Sequence, residues 1–114
     1  MGNMVDLGFL VLPRDIYEHF DLVKSVVSEK EIDLYLDEKS VPPQPSGFTS
    51  KGFTEPRTIQ DFPLRGKGVF LNIRRRKWQN NSTGEVVTNS YDLAHLGTQI
   101  TKEFADFLKG IYRK

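Results

Sequence analysis

The chain has 114 residues, 38% of them apolar and 27% charged, and it contains no cysteine. That length holds one ordinary core and not two, and the composition is globular rather than disordered. The missing cysteine excludes a disulfide framework and a thiolate zinc site, and it suits a reducing compartment. No run of about 18 apolar residues could span a bilayer. The segment before Pro13 lacks a basic leader and a small-residue cleavage site, so a cytoplasmic location without a signal peptide is expected.

Net charge is only +1, but it is unevenly spread: residues 1–50 hold four basic and nine acidic residues, and residues 51–114 hold twelve basic and six acidic ones. Arg57 to Trp78 alone carries seven cations against the single acid Asp61. Such asymmetry predicts one surface that attracts polyanions and another that stays acidic.

In chain order, Pro13 suits a first helical turn, and the four-residue spacing of Ile16 and Phe20 predicts a short helix over 13–20. The valine-rich run Leu22 to Val27 reads as a strand. Ile32, Leu34 and Leu36 alternate with Asp33, Tyr35 and Asp37, the period of a half-buried strand. Ser28 to Glu31 would close these runs into a hairpin. Residues 39–56 carry Pro42, Pro43, Pro45, Gly47 and Gly52 and read as a long loop. After Thr58 to Leu64 and the Gly-containing turn Arg65-Gly66-Lys67-Gly68, one long strand is expected over Val69 to Trp78. Asn80, Asn81 and Gly84 mark a turn, with a return strand expected over Glu85 to Thr88. Thr98 to Tyr112 reads as a closing helix that Thr101 can cap, with Ile100, Phe104, Phe107, Leu108 and Ile111 at helical spacing. The expected fold is α+β: one domain over 1–114, a small antiparallel sheet, a short N-terminal helix and a C-terminal helix.

The basic strand is the informative segment. Alternation puts Val69, Leu71 and Ile73 on a core face and Phe70, Asn72, Arg74, Arg76 and Trp78 on the other. Arginine makes bidentate contacts to phosphate or guanine, and an aromatic can stack on a base. Arg75 and Lys77 fall on the core side by parity, but four consecutive cations cannot all be buried unpaired. The strand is therefore expected to leave the core near Arg74 and project its charges into solvent, with Arg65 and Lys67 extending the surface. The plain alternative is a solvated edge strand that uses charge to block aggregation. Edge protection needs one lysine, whereas four adjacent like charges repel unless a polyanion neutralises them.

Residues for catalysis are hard to find. His19 and His95 have no partner at metal-ligand spacing and read as ordinary polar positions. No Ser-His-Asp or Cys-His arrangement is present. Arg65 to Gly68 lacks the spacing and following helix of a phosphate loop, and Asn81-Ser82-Thr83 needs a secretion signal to matter as a glycosylation site. Asp33 and Asp37 read as a solvated strand face, and Asp61, Asp92 and Asp106 are too scattered for two-metal chemistry. No catalytic residue, metal, cofactor or small-molecule substrate is expected.

The string Thr58-Ile59-Gln60-Asp61-Phe62-Pro63-Leu64-Arg65-Gly66-Lys67, running into Val69 to Trp78, resembles the N-terminal region of ISAon-family insertion-sequence transposases. It is more distantly similar to the same region of L-type insertion-sequence transposases. Asp61, Pro63, Gly66, Leu71, Arg75, Arg76 and Trp78 fall on or close to the shared pattern. The Ile32 to Leu36 strand and the stretch Gly97 to Phe104 also look like the family, so the resemblance covers nearly the whole chain. It implies a bacterial, cytoplasmic module that binds DNA at the element's terminal repeats and works beside a separate catalytic polypeptide of the DDE type. The distant relatives hold zinc with cysteines before the basic strand and after its aromatic. Here the Pro/Gly loop and Gln79 to Gly84 stand at those places without cysteine, so no zinc ribbon is implied.

Two functional expectations follow. In the first, Arg74, Arg76 and Trp78 make the principal DNA contacts while Arg65, Lys67, Arg75 and Lys77 hold phosphates. In the second, the apolar stripe of the helix Thr101 to Tyr112 docks on the catalytic polypeptide and the basic strand is incidental. An enzyme acting alone has no constellation to support it.

Overall fold

The computed structural model describes residues 12–110. The predicted helix over 13–20 is a single turn, α1 (Arg14–Tyr17), because the chain becomes extended at Phe20. The hairpin forms as expected from β1 (Phe20–Val27) and β2 (Glu31–Glu38). Ser28 closes its turn: Ser28 N donates to Glu31 O at 2.8 Å, and Glu31 N donates to Ser28 Oγ at 3.1 Å.

A second hairpin joins β4 (Arg57–Leu64) to β5 (Lys67–Arg74). Its two-residue turn places Arg65 at φ 51° and Gly66 at φ 80°. Two positive φ values in a two-residue loop match the right-handed twist of the flanking strands. The sheet order is β1-β2-β5-β4, so the two hairpins meet along β2 and β5, and that central pair is parallel. The fold is α+β with mostly antiparallel strands, as expected; the parallel centre is an addition that local periodicity does not carry.

One face of this sheet is the core. Ile32, Leu34 and Leu36 of β2, Val69, Leu71 and Ile73 of β5, and Ile59 of β4 are buried there beneath Ile16, Leu93, Leu96, Ile100, Phe104 and Leu108. The alternation read from β2 and β5 is therefore correct for every apolar position. Each such side chain taken from water contributes about 1.5–3 kcal/mol.

The expected C-terminal helix over Thr98 to Tyr112 is two elements, a 3-10 helix (Ala94–Gln99) and α2 (Lys102–Lys109), separated by extended Ile100. Thr101 caps α2 as expected, its hydroxyl accepting from Phe104 N at 3.3 Å. Thr101 N in turn donates to Asp61 Oδ1 at 3.2 Å, which ties the start of α2 to β4. Gly110, at φ 82°, ends the helix; Ile111 and Tyr112 lie outside the described residues. Phe104 and Leu108 are fully buried and Phe107 packs partly on the core. The stripe expected to dock on another polypeptide thus serves this chain's own interior.

A second sheet has the order β3-β6-β7, from β3 (Phe48–Phe53), β6 (Arg76–Asn80) and β7 (Val86–Val87). Two expectations are corrected by it. The loop over 39–56 contains β3, which shows no apolar alternation and is held by pairing with β6. The single strand over Val69 to Trp78 is divided at Arg75, with β5 in the larger sheet and β6 in the smaller.

Candidate nucleic-acid interface

The seven expected contact residues are Arg65, Lys67, Arg74, Arg75, Arg76, Lys77 and Trp78, and the fold treats them differently. Arg74 is tied to a carboxylate of its own chain. Its Nε and Nη2 donate to Asp37 Oδ1 and Oδ2 at 2.8 and 2.7 Å, a bidentate pair. The Arg74 hydrogen bonds hold the Asp37 carboxyl below its ordinary value, and the field of Arg76 adds to this.

Arg75 does not reach solvent; it is 4% exposed, and its partner Glu38 is fully buried. The two face each other with Nε 3.4 Å from Glu38 Oε1. Arg75 also donates to Phe107 O at 3.3 Å and to Asn89 O, and its guanidinium lies 5.7 and 5.3 Å from the ring centroids of Tyr91 and Phe107. Glu38 accepts from the Tyr91 hydroxyl and from Arg76 N, the latter at 2.7 Å. Burial, and next the bond to Glu38, push the Tyr91 hydroxyl well above its usual pKa. This network fixes the point where the chain leaves one sheet for the other: Arg75 N donates to Thr54 Oγ1 at 3.1 Å and Arg75 O accepts from Thr54 N at 2.7 Å.

Trp78 is 4% exposed and cross-paired between Ser50 and Val87. It cannot stack on a base while it sits in the smaller sheet. The expectation that the whole run projects into solvent is therefore wrong for Arg75 and Trp78, whereas the Arg74 side chain stays 43% exposed and is paired with Asp37. The premise that buried cations need partners was sound. The partners are Asp37 and Glu38, which arrive on the neighbouring strand.

Four cations of the set keep a different character. Among the ion pairs of the described residues, none joins a carboxylate to Arg65, Lys67, Arg76 or Lys77. Arg76 donates through Nε to the carbonyl of Glu38 at 2.8 Å and lies over the Phe53 ring at 4.4 Å, with Arg74 at 4.0 Å from the same ring. Lys77 lies on β6 opposite the Lys51–Gly52 step of β3, and Lys51 is exposed. Arg65 is exposed at the hairpin tip. Lys67 donates to the carbonyls of Ser28 and Glu29, clipping the two hairpin turns together.

Reasoning from sequence missed Glu38, Phe53, Lys51 and Tyr91. Glu38 had a signal: it continues the buried alternation Ile32, Leu34, Leu36, so a charge was due on the core side. Phe53, Lys51 and Tyr91 sit in segments without periodicity. The two histidines are ordinary, as expected: His95 pairs with Asp15 at 2.7 Å, and His19 lies against Tyr91 at 4.3 Å between centroids. Asp61 is buried and bound to the α2 start, and burial raises its carboxyl pKa.

Comparison of the chain with protein-family models, with curated proteins and with solved structures finds no match. No group of three or more His, Asp or Glu that could hold a metal ion occurs among the described residues. No described helix is long and apolar enough to cross a membrane.

Proposed function

We propose that the chain is the N-terminal module of an ISAon-type insertion-sequence transposase. It binds DNA at the ends of the element and positions a separate DDE catalytic polypeptide in the bacterial cytoplasm. It has no catalytic residues or cofactor of its own. Contacts to phosphate come from Arg65, Lys67, Arg76 and Lys77, with Lys51 beside Lys77.

The observation that carries the DNA reading is that none of these four cations has a salt bridge among the described residues, although the field of Arg76 reaches Asp37, while Arg74 and Arg75 are paired. Adjacent like charges repel, and a fold that neutralises two of them internally leaves the rest to an outside polyanion. Arg65 adds support. It holds φ 51°, a conformation that glycine or asparagine adopts more readily. An arginine kept there at a cost of about 1 kcal/mol points to use of its side chain.

The family link rests on the resemblance along the chain, from which this sequence departs by lacking the cysteines of the distant relatives. The two places where the distant relatives carry cysteines lie side by side. Asn81 N donates to Gly47 O at 2.9 Å, and Thr49 Oγ1 donates to Asn81 Oδ1 at 2.7 Å.

The test is a titration with duplex DNA at several salt concentrations. Four phosphate contacts give a slope of log affinity on log salt of about −4. Binding too weak to detect at low salt would contradict the reading.

A further inference from the structure

β3 carries a bulge whose effect falls on one arginine. Its register against β6 runs evenly from Phe48 opposite Asn80 to Ser50 opposite Trp78, then shifts, so that Lys51 and Gly52 together face Lys77 and Phe53 faces Arg76. Without the extra residue Phe53 would face Arg75. Gly52 takes φ 85°, a left-handed conformation that glycine adopts without strain. A bulge re-aims the side chains beside it. Here the half-buried Phe53 ring receives the Arg76 guanidinium at 4.4 Å from its centroid.

Arg76 is held at three points. Glu38 Oε1 accepts from Arg76 N at 2.7 Å, Glu38 O accepts from Arg76 Nε at 2.8 Å, and the cation sits over the Phe53 ring. Neither Nη of Arg76 has a hydrogen-bond or ion-pair partner among the described residues, and neither is buried, so this edge of the fork is open to solvent. Arg74 shares the ring at 4.0 Å, but its Nε and Nη2 donate to Asp37.

The acids around this point are matched. Asp21 pairs with Lys39 at 3.3 Å, Asp37 with Arg74 at 2.7 Å and Glu38 with Arg75 at 3.4 Å. Glu55 lies in the cleft lined by Arg57, Arg75 and Phe107. Glu85 stands at the far end of β6, where its carbonyl accepts from Asn80 N. Arg76 is the cation left over.

We infer that the Nη edge of Arg76 takes one DNA phosphate in a bidentate contact, and that Phe53 is the positioning residue that fixes this edge. The proposal rests on the DNA reading above and adds how one phosphate is held. A guanidinium fork matches two phosphate oxygens. Fixing the fork beforehand avoids the side-chain ordering that a loose arginine pays on binding, and the negative face of the ring holds the cation. Lysine carries the same charge without the fork.

The experiment uses the full chain and a labelled mixed-sequence duplex. Arg76→Lys keeps the salt slope of wild type, because one cation still meets one phosphate, but loses about tenfold in affinity. Phe53→Leu loses about threefold, and Phe53→Tyr, which keeps the ring, binds as wild type. In an Arg76→Ala background Phe53→Leu costs nothing further, because the ring acts through the guanidinium. The same losses appear on a duplex of alternating A and T, since phosphate carries no sequence. Circular dichroism confirms that each variant is folded. Equal affinity of wild type and folded Phe53→Leu overturns the proposal, as does an undiminished Phe53→Leu loss in the Arg76→Ala background. An Arg76→Lys loss confined to guanine-containing duplexes also overturns it, by assigning the fork to a base edge. If duplex binding persists in those cases, the DNA reading stands and only the phosphate fork falls. Failure of wild type to bind duplex removes both.

Discussion

Glu38 and Arg75 occupy corresponding positions on two neighbouring parallel runs and neutralise each other inside the protein. The register pairs Ile32 with Val69, Leu34 with Leu71 and Leu36 with Ile73. One step further along each core face stand Glu38 and Arg75, 3.4 Å apart. Removing one partner of such a buried pair strands the other charge, at about 3–5 kcal/mol. Arg75→Met is therefore expected to destabilise the fold by that amount in urea denaturation, and Arg75→Met with Glu38→Gln to recover a large part of it. Equal stability of Arg75→Met and wild type would mean that the pair is not formed.

The outward neighbours, Asp37 and Arg74, give a pH signature. Because Arg74 holds the Asp37 carboxyl below its ordinary value, this pair contributes stability that is complete above the unfolded value of about 3.9. That contribution is lost as pH falls through the lower, folded value. Wild type and Asp37→Asn should thus converge in urea midpoint as the solution is acidified below about pH 4. A constant gap across that range would contradict the assignment.

Asp61 should show the opposite sign. Burial raises its folded pKa, so its favourable contribution is present below the unfolded value and declines as pH rises through the folded one. Asp61→Asn keeps an acceptor for Thr101 N and removes the buried charge. Its stability relative to wild type should improve between acid and neutral pH. A pH-independent difference would show that Asp61 is not desolvated.

The cap at Thr101 is a separate test of the helix boundary. Its hydroxyl is the acceptor for Phe104 N. Thr101→Ala should lose about 1 kcal/mol, and Thr101→Ser much less. No loss in Thr101→Ala would place the helix start elsewhere.

Arg65 should trade stability against binding. Replacing it by Asn or Gly relieves a positive φ and is expected to stabilise the hairpin by roughly 0.5–1 kcal/mol. The same change should weaken DNA binding and make the salt slope shallower by about 1. A stabilised variant that binds as wild type would mean that the strain serves no contact.

Much of this architecture was legible along the chain. The alternation in Ile32 to Leu36 and Val69 to Ile73 identified the buried face of both central strands, and Thr101 announced the α2 cap. What local pattern could not show was that β2 and β5 run parallel, since their contact spans more than thirty residues of sequence. That single fact changes the meaning of the charge asymmetry. The acidic end of β2, Asp37-Glu38, meets the basic end of the β5 run, Arg74-Arg75, so part of the imbalance is neutralised internally. Trp78 misled for a related reason: parity carried from β5 fails across the break at Arg75, where the chain changes sheets.

The basic run divides into Arg74 and Arg75, paired with Asp37 and Glu38, and cations with no salt bridge among the described residues, which are proposed to meet DNA. The direct measurement compares duplex binding by wild type and by Arg76→Ala with Lys77→Ala across salt concentrations. The expected result is weaker binding and a salt slope shallower by about 2 in a variant that remains folded. A folded double variant with the affinity and slope of wild type would contradict it.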